Sequence, residues 1–247
     1  MRTLLAKLKS GTEELNYGRE IIVCMARRQA CTVGVKQMRV LDLGMGSGAD
    51  LENIRMALSG RKLELMGVDS YEPNLRAARE RGVAVASLDL EREPLPFSTD
   101  SMDIVVANQV LEHTKEIFWI VSEAARVLKP RGAFLVGIPN LASLHSRIML
   151  TLGMQPSLID VLGPHVRGFT KGGFKAFIEE GGFFEVIEVR GSNFYPFPRW
   201  LARRLARVLP GFSVSLFFWI RRTERGGRFI EVLDRKFFAT PYFKGSE

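Results

Sequence analysis

The chain has 247 residues, 46% of them hydrophobic, and a formal net charge of +8 with a pI near 9.8. That length suits one α/β domain with an elaboration or a small appendage, and no apolar run reaches the roughly 20 residues that cross a bilayer. The positive charge points to an anionic partner, whether nucleic acid, an anionic membrane surface or an acidic substrate, and does not choose among them.

Residues 1–38 are expected to be mostly helical. Leu4, Leu5 and Leu8 make one apolar group, and Ile21, Ile22, Val23 and Met25 make another, with Asn16-Tyr17-Gly18-Arg19 between them. The opening Met-Arg-Thr-Leu-Leu-Ala-Lys-Leu-Lys is too short and too interrupted by lysine for a signal peptide. Cys24 and Cys31 are the two cysteines, and their spacing in a helical pattern suggests reduced core thiols in a cytoplasmic protein. The three histidines are dispersed along the chain, so no metal site is expected.

The stretch from Arg39 to Asp50 organises the rest of the chain. Val40, Leu41 and Leu43 make a short apolar strand, and Gly44, Gly46 and Gly48 come next at alternate positions. Glycines there allow positive φ and close backbone approach to a ligand. Leu51, Ile54 and Leu58 then continue at helical spacing. Strand, glycine turn and helix form a nucleotide-binding corner. The glycines alone also satisfy a loose dinucleotide fingerprint. Asp42 argues against that, because it lies two residues before Gly44, where a pyrophosphate would approach. Two unit charges about 4 Å apart interact by roughly 4 kcal/mol at an effective dielectric near 20. A carboxylate there repels a diphosphate and favours a cation. The stretch closely resembles motif I of class I methyltransferases that use S-adenosylmethionine (SAM), whose sulfonium and amine are cationic. The resemblance implies that Asp42 faces the methionyl part, with Gly44, Met45, Gly46 and Gly48 as the backbone cradle. Met45 stands where many relatives have cysteine or alanine. In that family a leading helix often covers the cofactor, which would bring Tyr17 and Arg19 to the site; the alternative is a helix that caps the sheet edge.

A second buried strand ends at Asp69, followed by Ser70 and by a helix near Pro73. A carboxylate so placed can accept hydrogen bonds from both ribose hydroxyls, or it can cap the helix. The resemblance favours the ribose role, with Ser70 beside it. Val83 to Ser87 predicts a third strand, after which the resemblance makes Asp89 and Leu90 the adenine contacts. Pro94, Pro96 and Ser98 mark a loop.

Met102 to Asn108 predicts the fourth strand, and Gln109 to His113 follow at its carboxyl end, where α/β sheets bind ligands. Asn108 joins the cofactor candidates. A helix from Ile117 to Leu128, a turn at Lys129-Pro-Arg-Gly132 and a fifth strand from Ala133 to Ile138 come next. Asp103, Asn108 to His113, and Arg126 to Val136 strengthen the likeness to the small-molecule, type 11-like branch, from about Arg39 to Pro139. The implied fold is a doubly wound, Rossmann-like α/β domain: a mostly parallel seven-stranded sheet with an antiparallel last strand.

Pro139-Asn140 opens an insertion, about residues 140–168, read as a substrate lid. Arg147, His165 and Arg167 are substrate-binding candidates there, with Tyr17 a further one, and relatives carry a segment similar to His165-Val-Arg167-Gly-Phe169-Thr170. Thr170 is expected to cap a helix from Phe174 to Glu180 that Gly181 and Gly182 end. Phe183 to Val189 and Val214 to Ile220 predict the last two strands. Between them, Arg199 to Leu209 wind into a basic amphipathic helix, with Trp200, Leu201, Leu205, Val208 and Leu209 as its apolar stripe. This helix can meet an anionic membrane or a lipid-linked acceptor at the inner membrane face, or it can pack on the domain. The domain is bounded at 39–223, with a helical cap before it and a basic aromatic tail, 224–247, after it.

The implied reaction is methyl transfer from SAM to a small-molecule, sugar or lipid-linked acceptor. An acceptor hydroxyl would need a base, and His113 and His165 are the catalytic candidates by position, unless each only bonds a loop. RNA methylation is the runner-up. Asn108-Gln-Val-Leu lacks the stacking aromatic of enzymes that methylate base amines, which makes nucleic acid the weaker partner. A SAM-binding protein without catalysis, acting through a partner, is the rival from a different class.

Overall fold

Apolar runs of strand length alternate with helical ones, and burial on two faces forces helices onto both sides of a sheet. The computed structural model describes residues 18–235 and 238–245. Its elements begin with α1 (Arg19–Val33), β1 (Gln37–Leu43), α2 (Ala49–Ala57), β2 (Lys62–Asp69), α3 (Glu72–Glu80), β3 (Ala84–Ser87) and β4 (Met102–Asn108). There follow α4 (Ile117–Val127), β5 (Leu128–Pro139), α5 (Leu144–Thr151), α6 (Lys171–Ile178), β6 (Phe184–Ser192), α7 (Arg199–Val208) and β7 (Ser215–Arg222).

The strand order is β3-β2-β1-β4-β5-β7-β6. Strands β1 to β5 pair in parallel, and β7 runs antiparallel between β5 and β6. The sheet is thus the doubly wound one the sequence implies. Its order reverses between β1 and β4, and the crevice at the carboxyl ends of those strands is where such sheets bind ligands.

Side chains alternate between faces along each strand. Met38 and Val40 of β1, with Ile104 and Val106 of β4, join Ile22, Met25, Leu51, Ile54 and Leu75 under α1, α2 and α3. Leu41, Leu43, Val105 and Phe134 join Phe118, Trp119, Phe174 and Phe229 under α4, α6 and the turn at Phe229–Arg235. Each fully buried side chain of this kind contributes about 1.5–3 kcal/mol. The same alternation carries Asp42 and Asn108 onto the α1/α2 face, which decides what they can meet.

Several expectations change. Leu4, Leu5, Leu8 and Tyr17 lie outside the described residues. Helix α1 covers a sheet face, not an edge, because Ile22, Met25, Ala26 and Ala30 form one buried stripe. Cys31 is exposed and Cys24 half-buried, so they are not core thiols; they fall outside that stripe. The turn at Lys129 to Gly132 is an irregularity inside β5: Met102 pairs with Leu128 and Ile104 with Ala133, and Arg131 takes φ +66°. Helix α6 starts at Lys171, three residues early, because the Thr170 hydroxyl accepts from the Gly173 amide at 3.1 Å. The stripe on α7 divides. Ala202 and Ala206 are buried with Phe194, and Leu205 packs beside them, whereas Trp200, Val208 and Leu209 are exposed. The aromatic tail packs on α4, with Phe118 against Tyr242 at 4.9 Å and Trp119 against Phe243 at 5.0 Å between ring centroids.

The insertion after β5, expected to be a lid, is fixed at its base by Asn140, which is fully buried. Its Nδ2 donates to the carbonyls of Gly211 (2.9 Å) and Ser213 (2.8 Å), and its Oδ1 accepts from the Ala142 amide (3.0 Å). Asn140 also bridges Phe169, which closes the insertion. One amide therefore joins the start of the lid to the chain entering β7. Asn140→Ala leaves two carbonyls and one amide without this partner, and each buried orphan costs about 1–3 kcal/mol. Urea unfolding is expected to give a midpoint lowered by the equivalent of about 2–4 kcal/mol; an unchanged midpoint would show that the lid is held elsewhere.

Candidate active site

The site begins at the turn after β1. Gly44, Gly46 and Gly48 adopt φ of +61°, +55° and +79°, values that L side chains resist. A Cβ on Gly44 would come within 2.9 Å of Val110, so this turn lies directly against the segment after β4. Met45 points the other way. Its Sδ fills the space a Cβ on Gly67 would need, and its amide donates to the Val68 carbonyl at 3.1 Å. Met45 is thus a packing residue of β2, and only its backbone is left for a ligand.

Asp42 is 2% exposed, and its Oδ2 has no hydrogen-bond donor among the described residues. Burial raises its pKa well above the usual carboxylate value; the nearby charge of Asp50 adds to the rise, and Arg19 opposes it. Asp50 stands in the first turn of α2 and is also buried. It accepts from Asn108 Nδ2 at 3.1 Å and faces Arg19 Nε at 3.6 Å. Its pKa is likewise raised by burial and lowered by Asn108 and Arg19. Two buried acids, an amide and a guanidinium thus converge where β1 and β4 part. Arg19 does reach this site from α1.

Asp69 organises the next corner. Its Oδ2 accepts from the Gly46 amide (3.0 Å) and from Asn74 Nδ2 (3.2 Å), and its Oδ1 accepts from the Tyr71 amide (2.8 Å). It therefore ties the glycine turn to the start of α3. Ser70 is exposed beside it. Asp89 is exposed beyond β3 and accepts from the Glu91 amide at 2.9 Å, while Leu90 is half-buried against the core. Asp42, Asp69, Asp89 and Asn108 thus lie along one carboxyl edge of the sheet.

The insertion after β5 meets the segment that follows β4. The amides of Val166 and Arg167 both reach the Glu112 carbonyl, at 2.9 and 3.3 Å. This backbone contact brings His165 to His113, with ring centroids 4.8 Å apart. Nδ1 of His113 faces the Pro164 carbonyl at 3.2 Å, and Nδ1 of His165 faces the Leu158 carbonyl at 2.6 Å. Carbonyls only accept, so each Nδ1 carries a proton and each neutral ring presents a bare Nε2. Burial lowers the pKa of His113, as does the neighbouring His165, while the Pro164 contact opposes that. Glu112 is 1% exposed, and burial pushes its pKa up to about 7. The expectation of scattered histidines therefore fails for two of the three, because chain distance says nothing of a lid that folds back.

The other lid candidates are committed elsewhere. Arg147 Nε donates to the Ala142 carbonyl at 2.8 Å, and its guanidinium covers Phe212 at 4.5 Å. Arg167 donates to the Lys115 carbonyl at 3.0 Å and lines an apolar groove with Phe118, Phe169 and Tyr242. Sequence reasoning missed Asp50 and Glu112. The signal for Asp50 was its place in the first helical turn after the glycines; for Glu112, a carboxylate next to a candidate base.

The residues present fit SAM. Asp42 offers for a cation a buried carboxylate oxygen without a donor among the described residues, Arg19 a guanidinium for a carboxylate, and Gly46 a backbone with open space beside it. Residues 41–136 match the family described as a methyltransferase domain. An uncharacterized methyltransferase, YcgJ, from Bacillus subtilis is 36% identical over 103 residues, 40% of this chain and 39% of that protein. A ubiquinone biosynthesis O-methyltransferase from Sinorhizobium fredii is 31% identical over 110 residues, 43% of each chain. This chain spans between 31% and 43% of the length of the first curated relatives it matches. Among solved structures, a SAM-dependent methyltransferase from Thermotoga maritima superposes with a TM-score of 0.55 at 21% identity, over 83% of this chain and 89% of that one. One from Archaeoglobus fulgidus gives 0.55 at 19%, over 83% and 95%; at such identities the likeness speaks for the fold. Residues 41–136 thus carry a methyltransferase domain, and the sheet around it has the fold of SAM-dependent methyltransferases.

Proposed function

We propose that this protein transfers a methyl group from SAM to a hydroxyl of a small-molecule or lipid-linked acceptor. The observation that carries the reading is the pairing of a buried, undonated carboxylate at the glycine turn with two bare imidazole nitrogens under the lid. The O-methyltransferase activity for which the ubiquinone biosynthesis relatives are named supports a hydroxyl acceptor.

When bound, SAM supplies the methyl group and a thioether leaving group. Asp42 would hold its ammonium, Arg19 its carboxylate, and Asp89 with the Leu90 backbone its adenine. Asp69 already uses three of its roughly four acceptor sites within the protein. It therefore has room for one ribose hydroxyl where the sequence suggested two. The lid closes over the acceptor and excludes water, which makes the in-line geometry persist. Nε2 of His113 or His165 takes the hydroxyl proton as the acceptor oxygen bonds to the methyl carbon. Both rings are oriented for this, because a backbone carbonyl fixes each tautomer.

The exposed side of α7 supports a lipid-linked acceptor. Trp200 and Val208 are 65% and 75% exposed, beside Arg199, Arg203, Arg204 and Arg207. On the lid, Leu150 and Leu152 are exposed as well. Apolar side chains among basic ones suit an anionic interface, where each basic residue contributes about 1 kcal/mol at low salt. In the described residues no helix is long and apolar enough to cross a membrane.

Two experiments test these readings. Calorimetry is expected to show SAM binding by the wild type. Asp42→Asn should weaken it tenfold or more, since a charge-assisted hydrogen bond contributes about 1.5–3 kcal/mol. The same substitution should stabilise the free protein. An acid whose folded pKa is raised contributes stability only below that pKa and loses it as pH rises. Asp42→Asn should therefore raise the melting temperature by an amount that grows as pH rises above the ordinary carboxylate range, with little effect in acid. Undiminished SAM affinity in Asp42→Asn would overturn the assignment. For the surface, the protein is expected to sediment with anionic vesicles at low salt and not with neutral ones. Arg203→Glu with Arg204→Glu should abolish this; intact binding by that double variant would remove the membrane reading.

A further inference from the structure

The lid contact places together a donor set that the base reading uses only in part. Glu112 is the anomaly. Its carboxylate is 1% exposed, and among the described residues neither oxygen receives a hydrogen bond. A buried carboxylate without donors is costly unless a cation covers it. The side-chain nitrogen facing it is Nε2 of His113, 3.9 Å from Oε1. One donor atom from each of Glu112, His113 and His165 falls within 4.8 Å of the others.

We propose that Glu112, His113 and His165 form a binding site for a divalent first-row metal ion, with Zn2+ as the class it suits best. Two neutral imidazoles and one carboxylate are the ligand set that catalytic zinc accepts while keeping a fourth position open. Both rings have the outer arrangement that metal-bound histidines show, an Nδ1–H held by a backbone carbonyl that leaves Nε2 as the ligand atom. Here the carbonyls are Pro164 for His113 and Leu158 for His165. The frame is rigid on one side, since Glu112 and His113 share the 3₁₀ turn Leu111–His113. It adjusts on the other, since His165 arrives on the lid. With bonds of about 2.0–2.2 Å, tetrahedral ligands stand roughly 3.3 Å apart. The set therefore needs a contraction of about 1–1.5 Å at most, which the lid side can supply. The ion would lock lid to sheet, because its ligands come from both. With the ion bound, both Nε2 lone pairs are taken, so the ion would replace the imidazole base: as a Lewis acid it would lower the pKa of an acceptor hydroxyl at its open position, and the proton would leave to solvent. That last role rests on the proposed hydroxyl methylation, whereas the binding site itself does not.

The test uses the full chain, freed of metal with a chelator and then titrated with Zn2+ by calorimetry and with Co2+ by visible absorption. One equivalent of Zn2+ and ligand-field bands for Co2+ are expected. Glu112→Gln and His165→Gln should each weaken Zn2+ at least tenfold and alter the Co2+ spectrum, while His145→Gln and Cys31→Ser leave both unchanged. SAM binding, measured on the same samples, reports folding and the cofactor assignment separately. His165 is half-buried on the lid, so its variant is decisive if Glu112→Gln fails to fold. No Zn2+ or Co2+ binding by the wild type overturns the site, as does binding that His165→Gln leaves intact, and either result leaves the SAM assignment standing. Loss of SAM binding by the wild type with metal binding retained would overturn the methyltransferase reading and not the metal site.

Discussion

The structure depends on a buried carboxylate, Asp42, one oxygen of which receives no hydrogen bond among the described residues. Strand alternation turns Asp42 onto the face that α1 and α2 cover, and the positive-φ glycines beyond it prevent any side chain from filling the space beside it. Asp50 then arrives with the first turn of α2, a second acid in the same low-dielectric corner. Two buried acids repel, and Asn108 and Arg19 offset only part of that. Such an arrangement opposes folding and persists because the rest of the sheet over-determines it. Its cost becomes binding energy when a cation enters, since a group that is already desolvated loses little further hydration on meeting its partner.

That constraint explains what was legible in the sequence. Asp42, Gly44, Gly46, Gly48 and Asp69 are set by local pattern: a strand of fixed period, a turn of fixed φ, an acid at a strand end. The sheet was legible for the same reason, because β1, β2 and β3 alternate with α2 and α3, and α4 joins β4 to β5. The divided face of α7 was not. A helical wheel assigns Leu201, Leu205 and Val208 to one stripe, yet contact with Phe194 selects Ala202 and Ala206, whose small side chains let the helix approach closely. Cys24 and Cys31 fail similarly, because helical spacing predicts a shared face without saying which face is buried. The ring contact of His113 with His165 lay beyond any local rule. It joins residues far apart in the chain through two amides that meet the Glu112 carbonyl, a backbone contact that leaves no mark on residue type.

The lid joins these two halves mechanically. Its base is pinned at Asn140 to the chain that enters β7, and Arg147 covers Phe212 in that same connection. Leu144 of α5 packs with Phe194 and Ala202 beside α7, and His145 meets Tyr195 edge to face. Its far end is held by Glu112 at the sheet edge. A force applied to α7 from outside therefore has a contiguous route of packed side chains to the histidine pair. Such a route transmits a shift only if the lid has two arrangements that the outer contact distinguishes. In the two proposals above, Trp200 and Val208 would supply the outer contact and the donor set of Glu112, His113 and His165 the inner one. Occupancy at either end would then favour the same closed arrangement. By linkage, each would strengthen the other by an equal factor.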